Sequence, residues 1–301
     1  MSPPFFSDIS QNINTLLNKD FFQNIPAAVN VSTTTKSGLK FTVNGKQFSK
    51  EGPLQSGIEA KFRDKATGLV LTQGWTNQNK LNTRVDLSSL APGLKTDFMT
   101  SIIPNSAVAP DSSIGTTPSL VPTKDIIKTA IFNVSFVQPI FAAKGTFDLL
   151  KKPNFIGNLT LAHEGFIAGT EFGYDINAGT VSRYAVALSY RAKDYNLGIS
   201  INDAQLTTAS FFQNVSRSLQ VGSKATLNPK LGSNVSIEFA TRYLPDSSSQ
   251  IKAKISDIGK LTLSYKQDLR PGITLGVGTS LDALKLDEPL HKVGWSLNFS
   301  S

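Results

Sequence analysis

The chain has 301 residues, 40% of them hydrophobic, with a mean hydropathy of −0.09 and a formal charge of +8. The absence of cysteine excludes a disulfide scaffold or a thiolate metal site, and no apolar run reaches the roughly 18 residues of a membrane-crossing helix. The basic balance suits an anionic partner, but Lys151-Lys152 is the only adjacent basic pair, which argues against a nucleic-acid-binding tail.

In chain order, residues 1–24 alone read with a helical period. Phe5, Ile9, Ile13 and Leu16, with Phe6 and Leu17 beside them, form one apolar stripe, and Ser7, Asn12, Asn14, Asn18 and Lys19 fall mostly opposite. Pro3 and Pro4 precede the stripe. Ser7 and Asp8 offer N-cap chemistry, Asp8 standing three residues before Gln11 as in a capping box, and Pro26 stops the pattern. One amphipathic helix is expected here. It lacks the cationic start of a secretory signal, and with Asp8, Asp20 and no arginine it is not a typical mitochondrial presequence.

From Ala27 the period is two. Val293, Trp295, Leu297 and Phe299 alternate with Gly294, Ser296 and Asn298, and Leu81, Thr83, Val85 and Leu87 with Asn82, Arg84 and Asp86. Strands are expected at 27–34, 39–48, 54–63, 68–76, 80–88, 94–103, 128–137, 140–149, 154–163, 166–176, 180–191, 195–202, 205–213, 217–228, 234–244, 249–257, 260–268, 273–281 and 291–300. Residues 104–123, holding Pro104, Pro110, Pro118 and Pro122 among serines and threonines, read as a loop insertion. So many strands of about ten residues, joined by short turns, point to a closed meander, and strands of that length, tilted, cross a bilayer. Closure also removes the unpaired edges that lipid does not tolerate.

At Tyr243 the chain meets a specific motif. Tyr243, Asp246, Ser247 and Ser249, then Lys254 and Asp257, then Thr262-Leu263-Ser264-Tyr265, resemble the signature of the eukaryotic porins, the voltage-dependent anion channels of the mitochondrial outer membrane, and most closely the yeast porins. The resemblance covers the whole chain. Lys292, Gly294, Leu297 and Phe299 also resemble the mitochondrial β-signal. Nineteen strands is the number known for that family, so the strand count agrees with it rather than discovering it. The resemblance implies an all-β transmembrane barrel closed by a parallel first and last strand, with residues 1–24 as pore helix and linker and 25–301 as barrel. It implies passive, voltage-gated, weakly anion-selective diffusion of ADP, ATP, phosphate and other small solutes; the residues themselves show no catalytic triad, metal cluster or phosphate loop, so neither an enzyme nor a cofactor is expected. The implied partners are the lipid bilayer, the outer-membrane sorting and import machinery and further copies of the chain, not nucleic acid. Gln73 stands where animal relatives carry a lipid-facing glutamate, and Gln11 and Asn14 replace basic helix residues.

If apolar faces meet lipid, the other faces line a wet lumen. That assignment turns Lys40, Lys46, Lys61, Arg63, Arg84, Lys144, Lys224, Arg242, Lys252, Lys254, Lys266 and Lys292 inward, against Glu59, Asp86, Asp148, Glu171, Asp175, Glu238 and Asp257. The excess is positive and favours anions. Ile9, Ile13 and Leu16 are expected to contact the inner wall, and Lys19 either to meet permeant phosphates or to dock the helix on an acidic wall residue. Phe5, Phe6, Phe21, Phe22, Trp75, Tyr174, Tyr190, Tyr195, Phe211, Phe212, Tyr243 and Trp295 lie near element ends, as interface girdles do. His163-Glu164 lacks a second histidine and reads as a turn. A protein-import barrel is the alternative function, but it calls for an acidic lumen; a soluble all-β binding protein is the third.

Overall fold

The computed structural model describes residues 2–49, 52–64, 66–104, 126–150, 154–231, 235–285 and 291–301. Past Pro104, the proline-rich insertion expected at 104–123 lies outside the described residues. Nineteen strands follow the N-terminal segment: β1 (Ala27–Thr34), β2 (Lys40–Gln47), β3 (Leu54–Arg63), β4 (Leu69–Thr76), β5 (Leu81–Ala91), β6 (Leu94–Ile103), β7 (Ile126–Val137), β8 (Phe141–Asp148), β9 (Asn154–His163) and β10 (Phe166–Asp175) come first. β11 (Thr180–Arg191), β12 (Tyr195–Asn202), β13 (Thr207–Asn214), β14 (Leu219–Leu227), β15 (Val235–Tyr243), β16 (Ser249–Ser256), β17 (Lys260–Arg270), β18 (Ile273–Asp282) and β19 (Lys292–Ser300) complete the set. Every strand read from the alternation is present, with ends moved by only a few residues.

Each strand pairs antiparallel with its successor, and β1 pairs in parallel with β19, closing one sheet. An odd number of strands in an up-and-down meander requires one parallel seam. Here it runs from Ala27 opposite Trp295 to Ser32 opposite Ser300, with Asn30 Nδ2 donating to Asn298 Oδ1 at 2.7 Å on its inner side. The outer face is apolar and exposed, as at Val43, Ile58, Leu188, Ile199, Ile237 and Trp295, the sidedness of a sheet that faces lipid. No helix among the described residues is long and apolar enough to cross a membrane.

Part of the expected aromatic girdle is on this outer face. Tyr190 and Tyr195 lie there with centroids 6.0 Å apart, and four rings outside the expected set join them on this face: Phe166 at 4.8 Å from Tyr190, and Phe147, Phe155 and Phe172 in a second run at 4.7 and 5.6 Å. Phe6, Phe21, Phe22 and Phe212 are not. Phe212 alternates against Phe211 and points inward, while the other three belong to the segment inside the barrel.

The N-terminal segment is not one helix. It divides into a 3₁₀ turn at Phe6–Asp8, the helix α1 (Gln11–Asn18) and a second 3₁₀ turn at Phe22–Asn24. Ser10 is the N-cap and makes no side-chain cap bond, so the expected Ser7/Asp8 capping box does not form; Ser7 Oγ bonds the Asp8 carboxylate instead, at 3.2 Å. The helix ends well before Pro26 because Lys19 is extended and Asp20 turns left-handed at φ 59°. So short a helix is marginal by itself, and the segment takes its path from the wall it follows.

Residues 20–26 leave the helix along the inner side of the seam. Trp295 N donates to Pro26 O at 3.2 Å, and a Cβ on Gly294 would run into the Phe22 and Ile25 carbonyl oxygens. Gly294→Val is therefore expected to lower stability by about 1–3 kcal/mol through overpacking. Refolding purified protein in detergent, where no assembly machinery acts, checks this; parental stability there would leave only a biogenesis role for this glycine.

Candidate functional site

The seat of the helix sets the sidedness of the wall. Ile13, Leu16 and Leu17 form one buried cluster with Phe212 of β13 and Ala240 of β15, and Ile9 forms another with Ile167 of β10 and Ala187 of β11, Phe6 packing against it. The expected wall contacts Ile9, Ile13 and Leu16 are thus all seated. The wall is notched to receive them. A Cβ at Gly222 of β14 would stand 2.5 Å from Ile13 Cδ1 and 3.0 Å from Leu16 Cδ2, and one at Gly169 of β10 would stand 2.6 Å from Ile9 Cδ1.

Polar bonds hold the two ends of the segment. Thr160 Oγ1 donates to Pro4 O at 2.5 Å. At the other end, Lys252 Nζ donates to Thr15 O at 3.1 Å and Lys19 O at 2.6 Å, Ser264 Oγ to Asp20 O at 2.6 Å, and Gln250 Nε2 to the Asp20 carboxylate at 3.3 Å. Lys19 therefore meets the wall through its carbonyl. Its side chain is exposed and makes no ion pair among the described residues.

Counting from inward Ala240 through the strand registers turns all twelve expected cations inward. Lys40 lies opposite Lys61, Lys61 opposite Thr72, and Thr72 opposite Arg84. Across the barrel Lys224 lies opposite Glu238, and Arg242 opposite Lys252. Exposure then separates them. Lys252 is 2% exposed beneath the helix, so it cannot act as the water-facing wall charge its position suggested. Lys254 pairs with Glu238 at 3.1 Å, and Arg84 with Asp86 at 2.8 Å and Asp97 at 3.7 Å. Lys40, Lys46, Lys61, Arg63, Lys144, Lys224 and Lys266 have no acid within ion-pair distance among the described residues.

Three expected lumen acids also serve backbone amides, Asp148 accepting that of Leu150 at 3.2 Å after β8. Asp175 accepts the Asn177 and Ala178 amides at 3.0 Å in the turn after β10, and Asp257 accepts the Ile237 amide at 3.2 Å beyond the end of β16. Asp97, Lys95 and Arg183 also belong to the wall, beyond the residues expected there. Asp97 lies opposite Asn133, and Arg183 pairs with Glu171 at 2.9 Å. Thr96 and Thr100 on the outer side of β6 weaken the polar contrast that would have revealed Lys95 and Asp97.

The signature residues build a hairpin. Asp246 accepts the Ser248 hydroxyl at 2.7 Å and the Ser248 amide at 2.8 Å; these bonds, the hydroxyl's first, hold its carboxyl below the usual carboxylate range. Ser249 starts β16 buried, Tyr243 is exposed at the end of β15, and Ser247 lies in the turn between them. On β19, Lys292 and Gly294 face inward and Leu297 and Phe299 outward, opposite Val29 and Val31 of β1. Gln73 also faces outward, between Ala60 and Thr83. His163 and Glu164 approach to 3.8 Å at an exposed turn, and the described residues hold no group of three or more metal-ligating side chains.

The model of the eukaryotic porin family matches residues 2–112 and 109–294. The chain is 58% identical over the full length of both chains to "Non-selective voltage-gated ion channel 1" of Saccharomyces cerevisiae. It is 44% identical, again over both full lengths, to "Mitochondrial outer membrane protein porin" of Candida albicans. Among solved structures, a mutant of the Rh. blastica porin superposes with a TM-score of 0.50 at 9% identity, covering 86% of this chain and 99% of that one, a likeness of fold alone.

Ile13→Asn would set an amide against Gly222 and Ala240, and losing a buried aliphatic side chain costs about 2–5 kcal/mol. The helix is expected to leave its seat while the barrel persists. Hydrogen exchange should accelerate over residues 11–18 and stay slow in the strands.

Proposed function

The chain belongs to the eukaryotic porin family, and from that premise we propose that it is a voltage-gated diffusion pore of the mitochondrial outer membrane, open at low potential and closing at higher potential. The observation that carries the reading is the two-sided closed sheet, apolar outside and lined with charge inside, with α1 seated on its inner wall. Residues 1–24 act as pore helix and linker, and residues 25–301 as the barrel.

The open pore prefers anions weakly. Lys40, Lys46, Lys61 and Arg63, without an ion pair among the described residues, gather on neighbouring strands β2 and β3, a stretch of wall that α1 does not contact, while several acids are held by cationic partners. Salt screens such charges over about 8 Å, so in a wide pore the preference is modest, in keeping with relatives named non-selective. Small metabolites and ions, ADP, ATP and phosphate among them, are the permeants, and Lys19 offers its exposed ammonium to them. Lys292, Gly294, Leu297 and Phe299 serve recognition by the outer-membrane sorting machinery, and copies of the chain associate through the lipid-facing surface. A basic lumen repels basic presequences, which disfavours a protein-import role.

Purified protein in planar bilayers is expected to give large, voltage-dependent pores with a weak anion preference. Lys46→Glu and Lys61→Glu should each move the reversal potential in a salt gradient toward that of a cation-preferring pore. Deleting residues 1–20 should weaken voltage gating while conduction remains. Silent membranes, strong cation preference of the parent, or normal gating after the deletion would overturn the corresponding part.

A further inference from the structure

Lys252 is a cation buried inside a pore. Its ammonium lies between the carbonyl oxygens of Thr15 and Lys19, in the last turn of α1, and 4.6 Å from the centre of the Phe21 ring. The C-terminal end of a helix carries partial negative charge and unsatisfied carbonyls, and a lysine is suited to both. Neighbouring strands complete the arrangement. Gln250 and Ser264 hold Asp20, while Arg242 holds Gln250 through Nε at 2.8 Å and Gln220 through Nη1 at 3.3 Å. The N-terminal half of the segment rests mainly on apolar contacts in the Gly169 and Gly222 notches.

We propose that Lys252 is a positioning residue, a latch that fastens the C-terminal turn of α1 to β16 and that is returned to the lumen as a free positive charge when the helix lifts. While the helix is seated, the partial negative charge of its end offsets the ammonium, so Lys252 contributes less to ion preference than the water-facing lysines of β2 and β3. Any motion that unseats α1 exposes this cation, which ties the position of the helix to the charge of the pore. That last step rests on the pore reading above; the latch itself does not.

The chain has no cysteine, so Leu17→Cys, at a site 1% exposed, supplies a single thiol that a charged reagent reaches only when the helix lifts. In full-length protein reconstituted into vesicles, adding Lys252→Met is expected to raise the labelling rate about tenfold, the scale of one charge-assisted hydrogen bond, and Lys252→Arg to restore most of the protection. In planar bilayers without the cysteine, Lys252→Met should shift the voltage of closure while moving the reversal potential less than Lys61→Met does. A parental labelling rate, or no rescue by arginine, overturns the latch. Should Lys252→Met fail to insert, Lys252→Leu removes the same two bonds to Thr15 O and Lys19 O: faster labelling supports the latch, and an unchanged rate overturns it. Labelling as expected in a protein that conducts nothing would count against the pore reading alone.

Discussion

The pairing of β1 with β19 is the constraint on which the rest depends. In a bilayer an unpaired row of backbone N–H and C=O groups has no water to turn to, so an open nineteen-stranded sheet would carry two costly edges. An odd strand count forces the closing pair to be parallel, a slightly less stable pairing per residue than the antiparallel ladders elsewhere. The chain supports this seam from within. Asn30 and Asn298 bond across it, and the linker lies along it, held by the Trp295 amide and admitted by the missing side chain of Gly294.

Closure also gives the sheet an inside. Because side chains alternate, one register error would turn every lysine of a strand into lipid, so the fold and the lining of the pore are specified together. Inside, the wall is uneven in two ways. It is notched by glycine where α1 packs, and its cations are uneven: four without an ion pair among the described residues stand together on β2 and β3, while Lys254, Arg84 and Arg183 are paired with acids. The segment takes hold of the notched side and leaves the basic β2 and β3 walls uncovered. A polar clasp on β14–β17 holds its C-terminal end, and aliphatic contacts hold its middle.

The strands were legible because two-sided strands between oil and water leave a period of two in the sequence, and little else produces so many repeats of it. The inward cations followed from the same period. Lys95 and Asp97 escaped because threonine, tolerated on both faces, blurs the alternation of β6. Asp257 lies past the end of β16, and Asp175 closes β10 while taking the amides of the turn that follows, because alternation does not reveal where a strand gives way to a turn. The signature around Asp246 named a family without naming a site: its residues hold a turn and a hairpin together.

The sequence by itself determined the number and facing of the strands, the apolar stripe of the N-terminal segment and the sign of the lumen charge, since each is carried by a local period or a sum. Only the tertiary structure decided where the helix breaks, which wall glycines receive it and what becomes of Lys252. Those depend on groups hundreds of residues apart meeting at one place, as Lys252 meets Thr15 and Lys19. Alternation tells that a lysine faces inward, but only the packed helix above it tells that the charge is covered.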